Sequence, residues 1–324
     1  MKETIRIAYT DMWKDFEPES FGITTILKRK YNVIIDQDNP DFVICGCAGK
    51  NYLKYDCLRI QFLGEAVTPD FNVYDYGIGF DHLQFGNRYL RCPLYVFYEK
   101  DYLLAKEKHN ISEEILREKN KFCNFIVSNG DGMLIREEFF HKLSEIRHVD
   151  SAGRYLNNMP EKKNVEHKLE FQKQYKFSLA FENAIMDGYV TEKIVQAWAA
   201  GTIPIYLGGN NVQSDFNEKA FIDVSNFESL EKCIDYILYV DDNFEEYKKI
   251  MAEPILKPET EINYEEKILE FFDYIITHSE YRRNSALTLA GKYYELEKSW
   301  NKIDMYYLIV IEKIKKKLGL KSRL

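Results

Sequence analysis

A lysine stands near the start of a predicted helix in the stretch FENAIMDGYVTEKIVQAWAAG, residues 181–201. The aligned peptide dipoles put roughly half a positive charge at a helix N-terminus, so a cation there is unfavourable unless an anion lies beside it. Backbone N–H groups at such a terminus, together with an ammonium group, form a binding site for phosphate. The position of Lys193 therefore predicts an anion beside it.

Other polar residues also follow apolar runs. Glu65 comes after LRIQFLG, Arg136 comes after FIVSN and the turn GDG, and Asn183 comes after FSLAFE. A guanidinium can bind a phosphate through two parallel hydrogen bonds. A carboxylate can take the proton of an attacking hydroxyl, and such general base catalysis is worth roughly 10²–10⁴-fold in rate. These residue types predict phosphate binding together with proton abstraction.

Each candidate also has a purely structural interpretation. Glu192 could neutralise the helix dipole, and Tyr189 could pack against the core. Asn183 could simply end a strand, Glu65 could be a solvated loop carboxylate, and Arg136 could pair with neighbouring glutamates on the surface. The joint placement of these residues at strand ends favours the functional interpretation.

The elements that must position these residues alternate between strand and helix. Helical periodicity predicts helices over 134–146 and 230–238, and apolar runs predict strands over 5–9, 32–36, 41–46, 58–64, 122–129, 177–183, 203–209 and 220–227. Strand and helix in this rhythm indicate parallel sheets with crossover helices. Ligands of open parallel sheets bind beyond the carboxyl ends of the strands, where the candidate residues lie.

The length of 324 residues favours two domains. The charged segment 104–121 interrupts the strand pattern and is interpreted as a helix and a linker. We therefore place the boundary there, with domains at 1–117 and 118–324, and expect the chain from about 262 onward to be helical and to belong to the second domain.

Composition excludes several classes of protein. Lys and Arg total 44 and Asp and Glu total 52, and a net charge of −8 argues against nucleic acid as a partner. The six cysteines form no CxxC pair or zinc spacing, and the first residues lack the apolar stretch of a secretory signal, so we expect a reduced, cytoplasmic protein. Aromatic residues reach 15%, which fits either an aromatic core, the commoner case, or sugar-stacking surfaces.

The stretch YKFSLAFENAIMDGYVTEKIVQAWAAGTIPIYLGG resembles the donor-binding signature of the α1,3/4-fucosyltransferases, glycosyltransferase family 10. Three further segments resemble pieces of the same family: FLGEA, YDYGIGFDHLQFGNRYLRCPLY and HVDSAGRYLNN. The resemblance covers most of residues 58–245, and the first 50 and last 60 residues carry little of it.

The resemblance implies a GT-B fold, an α/β architecture of two Rossmann-like domains facing across a cleft, with GDP-fucose as donor and inversion at the anomeric carbon. Residues 1–117 would bind the acceptor and carry Glu65 as general base, and residues 118–324 would bind GDP-fucose. Arg136 matches the arginine that contacts the donor diphosphate. The matches that would hold GDP and fucose are Asn183, Tyr189, Glu192 and Lys193, and Glu192 could also stabilise positive charge developing on fucose.

A competing motif, Asp36-Gln37-Asp38, has the DxD pattern with which other glycosyltransferases bind Mn²⁺. Two aspartates in a turn before a proline are common, and basic residues can neutralise the diphosphate, so we expect no required metal or cofactor; stimulation by Mn²⁺ stays open. The final residues, 303–324, combine an apolar run with many lysines. They fit either a helix attracted to anionic lipid at the inner leaflet or a docked last helix.

We expect transfer of fucose to the 3-hydroxyl of N-acetylglucosamine in a lactosamine-type glycan, such as that of a bacterial lipopolysaccharide. One alternative is a transferase of the same fold that forms an α1,4 linkage, forms both linkages, or uses another acceptor. Another is a non-catalytic protein of the same fold that binds a nucleotide or a glycan. The presence of both Glu65 and the complete YVTEK argues against this second alternative.

Overall fold

The computed structural model describes residues 2–128, 130, 132–160, 167–257, 259, 261–278 and 288–300, and a few positions between 307 and 318. Its elements in chain order are β1 (Thr4–Thr10), α1 (Gly22–Lys30), β2 (Asn32–Ile35), β3 (Phe42–Cys45), β4 (Leu58–Phe62), β5 (Tyr76–Gly79), β6 (Tyr89–Arg91), α2 (Glu99–Lys106), α3 (Glu113–Glu118), β7 (Lys121–Phe125), α4 (Leu134–Ile146), β8 (Val149–Ser151), α5 (Lys168–Gln172), β9 (Tyr175–Phe181), α6 (Glu192–Ala199), β10 (Ile203–Leu207), β11 (Ile222–Asp223), α7 (Leu230–Asp242), α8 (Phe244–Ala252), α9 (Tyr264–Thr277) and α10 (Leu289–Trp300).

Two compact units divide these elements, the first made of Met1–Cys92 with Asn263–Leu324 and the second of Pro93–Ile262. The first unit contains a six-stranded sheet in the order β2-β1-β3-β4-β5-β6, and all of its pairings are parallel. Every residue of β3 and β4 is buried, as expected for strands covered on both faces.

The second unit contains a five-stranded parallel sheet in the order β11-β10-β9-β7-β8. Its core includes Phe125 of β7, Phe139 of α4 and Phe181 of β9, all fully buried, with the last two rings 5.2 Å apart. α6 ends at Ala199, and Gly201 follows with a φ of 66°, a left-handed conformation that favours glycine after a helix. Two parallel sheets with helices confirm the predicted α/β, two-domain GT-B fold.

The division between the units differs from the boundary expected at residues 117 and 118. The segment that follows Cys92 packs within the second unit, because Lys108, almost fully buried, donates hydrogen bonds to carbonyl oxygens at the end of α8. The accepting residues are Ile250, Met251 and Glu253, at 3.1, 3.0 and 2.8 Å. The charged pattern of 104–121 reflects the exposed side of this segment and does not mark a linker.

The C-terminal helices also differ from expectation, because they group with the first unit. Phe272 of α9 packs against Phe42 of β3 with 5.6 Å between ring centroids, and Asp273 accepts a hydrogen bond from Tyr31. From α10, Glu295 pairs with the buried guanidinium of Arg59 in β4. The C-terminal helices therefore pack on the first sheet, and no local sequence pattern predicts this packing.

Seven of the eight predicted strands are present within a few residues of their predicted bounds, namely those that begin near residues 5, 32, 41, 58, 122, 177 and 203. The eighth, predicted over 220–227, is shortened to β11. The helices of α4 and α7 are confirmed. Sequence analysis missed β5, β6 and β8, which are only three or four residues long. None of the helices within the described ranges is long and apolar enough to cross a bilayer. The basic tail over 303–324 lies largely outside the described residues.

Candidate active site

A buried carboxylate, Glu182, directly follows β9 and is completely shielded from solvent. Its Oε1 accepts a hydrogen bond from the backbone N–H of Thr191 at 2.8 Å, and its Oε2 accepts one from the Thr191 hydroxyl at 2.7 Å. The same Oε2 lies 3.0 Å from the ammonium of Lys193. Glu182 thus joins the end of β9 to the start of α6 through three hydrogen bonds.

The charge of Lys193 is therefore balanced within the protein. Burial alone would lower the pKa of Lys193, but the carboxylates of Glu182 and Glu192 outweigh it and raise that pKa above its ordinary value. The Glu192 carboxylate lies 3.6 Å from the ammonium. Burial would raise the pKa of Glu192, but Lys193 and Lys168 lower it. At neutral pH Glu192 and Lys193 are therefore both charged.

The sequence predicted that an anion would lie beside Lys193, and the anion that the structure supplies is Glu182. The helix-dipole argument alone thus does not require a nucleotide. The cation nevertheless remains partly accessible, because 18% of the Lys193 side chain and 20% of the Glu192 side chain are exposed, whereas Glu182 is fully enclosed. An incoming phosphate can meet Lys193 from the solvent side only.

Arg136 lies in the first turn of α4 and is almost completely buried. Its Nη1 donates a hydrogen bond to Oδ1 of Asn183 at 2.8 Å, so the structure brings two predicted site residues together. Gly132 makes this arrangement possible, because a Cβ at that position would lie 1.9 Å from Nη1. Burial lowers the pKa of Arg136, while Tyr155 and Glu182 oppose that change.

Tyr189 is buried, with 3% of its surface exposed, and its carbonyl oxygen accepts a hydrogen bond from the Tyr206 hydroxyl at 3.3 Å. The loop before it packs tightly, since a Cβ at Gly209 would lie 2.9 Å from the backbone nitrogen of Tyr189. The ring therefore packs into the core, as its structural interpretation expected, and it contributes to the electrostatic environment of Lys193.

Glu65 belongs to the first unit and stands exposed three residues after β4. A second carboxylate, Asp81, follows β5, the strand paired with β4. Burial raises the pKa of Asp81, and within the described part of the chain its Oδ2 is buried without a hydrogen-bond partner. Two carboxylates therefore follow neighbouring strands at one edge of the sheet, and sequence analysis singled out only Glu65.

Comparison with known proteins matches both units to one family. Residues 7–98 match the family model described as the alpha-(1,3)-fucosyltransferase FucT N-terminal domain. Residues 116–252 match glycosyltransferase family 10 (fucosyltransferase), C-terminal part. The chain belongs to glycosyltransferase family 10. This confirms the resemblance found in the sequence.

Relatives within family 10 agree with this assignment. The chain is 34% identical over 288 residues to alpha-(1,3)-fucosyltransferase FucT of Helicobacter pylori, a match covering 77% of this chain and 60% of that protein. It is 34% identical over 137 residues to a 3-galactosyl-N-acetylglucosaminide 4-alpha-L-fucosyltransferase of Bos taurus, covering 40% of this chain and 35% of the relative. The match therefore spans less than two thirds of the length of each of these curated relatives.

A solved structure of an alpha1,3-fucosyltransferase with GDP-fucose is similar over nearly its whole length. The TM-score is 0.75 at 30% identity, and the match covers 88% of this chain and 94% of that one.

Sequence analysis of this family 10 protein missed Lys168, which stands at the start of α5. Its ammonium donates a hydrogen bond to Oε1 of Gln196 at 2.6 Å, and Nε2 of Gln196 donates to Asp101 at 2.8 Å. Gln196 follows Glu192 by four residues and so lies on the same face of α6. Burial lowers the pKa of Lys168, and Glu192 opposes that change. A lone lysine in a polar stretch carries no signal that would have revealed this.

The DxD motif takes part in local structure. Oδ1 of Asp36 accepts hydrogen bonds from the backbone N–H groups of Asp38 and Asn39, and Oδ2 accepts one from Arg6 at 3.0 Å. These contacts form a turn after β2. Among the described residues, no three histidine, cysteine, aspartate or glutamate side chains are grouped closely enough to hold a metal ion.

Proposed function

We propose that this protein is an inverting α1,3-fucosyltransferase that transfers L-fucose from GDP-β-L-fucose to the N-acetylglucosamine of a lactosamine-type glycan. The observation that carries the proposal is the charged cluster around Lys193, which lies inside the family 10 match and combines a buried anion with an accessible cation. The similarity to a solved alpha1,3-fucosyltransferase with GDP-fucose supports the choice of donor.

The second unit would hold the donor. Departure of GDP builds negative charge on the β-phosphate, and Lys193 at the N-terminus of α6 can stabilise that charge. Thr191, the residue before α6, uses its hydroxyl on Glu182 and makes no side-chain cap to the helix, so this hydroxyl does not compete with a phosphate at the helix N-terminus. Arg136 would contact the diphosphate only if its side chain moved outward, since it is buried against Asn183.

Glu65 of the first unit would act as general base. Inversion takes place in one in-line displacement, so one carboxylate that accepts the acceptor proton is enough. Glu65 is exposed after β4, where an acceptor hydroxyl can reach it. Glu192, which its lysine neighbours keep ionised, would stabilise positive charge developing on the fucose ring. The proposed chemistry requires no metal, and stimulation by Mn²⁺ stays open.

The choice of the 3-hydroxyl follows the alpha-(1,3)-fucosyltransferase of Helicobacter pylori, which matches 77% of this chain. The bovine relative, named for transfer to the 4-hydroxyl, favours α1,4 transfer as the second candidate function. Its match covers only 40% of this chain, so we give the 3-linkage precedence.

The test is release of GDP from GDP-fucose, measured with N-acetyllactosamine and with its isomer lacto-N-biose as acceptors. In N-acetyllactosamine the 3-hydroxyl of N-acetylglucosamine is free and the 4-hydroxyl is substituted, whereas lacto-N-biose has the reverse pattern. We expect release that depends on N-acetyllactosamine. Release with lacto-N-biose alone would move the linkage to the 4-hydroxyl. Binding of GDP without release in either case would contradict catalysis and favour a binding protein of the same fold.

A further inference from the structure

Trp13 of the first unit is an aromatic side chain with half of its surface exposed, at 50%. It follows β1 by three residues, at the carboxyl end of the strand. In open parallel sheets this edge is where ligands bind. The roles assigned so far to the first unit, including that of Glu65, leave Trp13 unexplained.

Other aromatic rings hold the indole of Trp13 in place. Its ring centroid lies 4.8 Å from that of Phe16 and 5.8 Å from that of Phe21, with interplanar angles of 85° and 75°. The ring of Phe62, the last residue of β4, lies 6.4 Å away. Edge-to-face contacts of this kind are favourable, so the exposed indole is packed on one side and open on the other.

The loop that carries Trp13 is also fixed by its backbone. The carboxylate of Asp11 accepts hydrogen bonds from the backbone N–H groups of Asn51 and Tyr52, at 3.0 and 2.9 Å. Asp11 and Asp15 have φ values of 55° and 62°, a left-handed conformation that costs energy in residues other than glycine. A rigid loop that displays an aromatic ring binds a ligand with little loss of conformational entropy.

The position of Trp13 relative to Glu65 follows from the order of the strands. Trp13 follows β1, Cys47 follows β3, and Glu65 follows β4, and these three strands are consecutive in the sheet. Neighbouring strands in a sheet lie about 4.8 Å apart, and only β3 lies between β1 and β4, so the ends of β1 and β4 are about 10 Å apart. The Cys47 thiol, which follows β3, donates to the carbonyl oxygen of Phe62 at the end of β4, at 3.5 Å. Burial raises the pKa of Cys47, and the Glu65 carboxylate adds to this rise.

We propose that Trp13 is a stacking platform for a pyranose ring of the acceptor, namely the sugar linked to the one whose hydroxyl Glu65 would deprotonate. This inference rests on the proposed function. A separation of about 10 Å corresponds to roughly two sugar rings, so one ring can lie at Glu65 while the next covers Trp13. The C–H bonds on one face of a pyranose carry partial positive charge and are attracted to the negative face of an aromatic ring.

The surroundings of Trp13 fit a sugar better than a protein or a membrane. Surfaces that bind proteins or membranes expose contiguous apolar patches of several hundred Å². Here the exposed neighbours along the loop are polar, namely Lys14, Asp15 and Glu17. One ring among charged groups matches a pyranose, whose apolar face is the size of one ring and whose edge carries hydroxyls.

The test compares Trp13→Ala and Trp13→Phe with the unchanged protein, using N-acetyllactosamine as acceptor. For Trp13→Ala we expect the KM for the acceptor to rise about tenfold, the change that corresponds to about 1.4 kcal/mol. Trp13→Phe, which keeps a smaller ring, should recover much of this loss. The KM for GDP-fucose and the slow release of GDP without acceptor should not change. Tyr239→Ala, which removes an equally exposed ring on α7 of the second unit, should leave the acceptor KM unchanged.

Three other results of this experiment would overturn the proposed role of Trp13. An unchanged acceptor KM in active Trp13→Ala would overturn the stacking platform and leave the proposed function intact. A fall in melting temperature with equal losses for donor and acceptor would show a structural role for Trp13 and would also overturn it. If the unchanged protein transferred fucose to no lactosamine-type glycan, the proposed function would fail first, and the platform with it.

Discussion

The carboxyl edges of the two sheets are built in opposite ways. In the second unit the charged residues are mostly enclosed: Glu182 is fully buried and pairs with Lys193, and Arg136 is buried with a hydrogen bond to Asn183. In the first unit Glu65 and Trp13 stand exposed. A site that must attract a multiply charged nucleotide needs fixed charges whose burial is already balanced. A site for a neutral sugar needs only accessible groups on a rigid support.

Because of this difference between the two edges, we expect substitutions in the second unit to change both stability and activity, and substitutions in the first unit to change activity alone. A substitution in the buried cluster disturbs charges that are largely shielded from water, so we expect it to destabilise the fold as well as donor binding. A substitution at the exposed edge leaves water free to solvate what remains, so we expect it to change activity alone.

The largest expected effect is loss of turnover in Glu65→Gln. An amide cannot accept the acceptor proton, so kcat should fall about 10²- to 10⁴-fold, the usual contribution of a general base. The affinity for GDP, measured by calorimetry, should not change, because Glu65 belongs to the first unit.

Asp81→Asn is the matched control for this prediction. Asp81 follows the neighbouring strand and has a raised pKa, which is common for catalytic carboxylates. We expect Asp81→Asn to retain most of the turnover. The reverse result, with Asp81→Asn inactive and Glu65→Gln active, would reassign the general base to Asp81.

The next largest effect is loss of stability in Glu182→Gln. The amide would leave the buried Lys193 ammonium with Glu192 alone, at 3.6 Å, and breaking a buried ion pair in this way costs about 3–5 kcal/mol. Urea denaturation should show this as a lower midpoint with an unchanged slope.

Glu170→Gln is the control, because Glu170 pairs with Lys173 on the surface at 2.6 Å and its side chain is 69% exposed. Surface pairs contribute little, so its midpoint should stay within error of that of the unchanged protein. Equal midpoints for Glu182→Gln and the unchanged protein would refute our view that the second unit's edge is electrostatically balanced by Glu182.

The sequence predicted the long and periodic elements of the second unit well. Residues 134–146 form α4 with the predicted bounds, and the apolar run from 203 forms β10. The strands β5 and β6 were missed because YGIG and YLR are too short to show alternation, and pairing with β4 decides their conformation. The place of α9 beside the first sheet depends on contacts more than 200 residues apart in sequence, such as Phe42 with Phe272.

Within the candidate site, residue types and their positions at strand ends could be read from the sequence, but the burial of each side chain could not. Arg136 and Asn183 could be paired only after folding brought α4 against the end of β9. The buried partner of Lys193 is Glu182, eleven residues earlier, and no helix or strand periodicity connects two positions separated by a loop. Lys168 acts from a third element, so its contribution to Glu192 could be found only in the structure.

The smallest expected effect is a change in pH dependence in Lys168→Met. The charged groups that act on Glu192 are Lys193 and Lys168, and Glu182 and Asp101 act in turn on these lysines. Tyr98 is a phenol whose pKa is raised to about 12 by burial and by Glu192. Lys193 and Lys168 together lower the pKa of Glu192 from its ordinary 4.5, so removing the charge of Lys168 should raise that pKa.

The sign of the change follows from the form of Glu192 that acts. Because the carboxylate would stabilise the fucose ring, activity falls when pH drops through the pKa of Glu192. In Lys168→Met this fall in kcat should begin at a higher pH, while the rate near pH 7 changes little. Lys173→Met, which removes an exposed lysine next to α5, should keep the original profile. Identical acid limbs in the two variants would mean that Lys168 only joins α5 to α6 through Gln196, with no part in the electrostatics of the donor site.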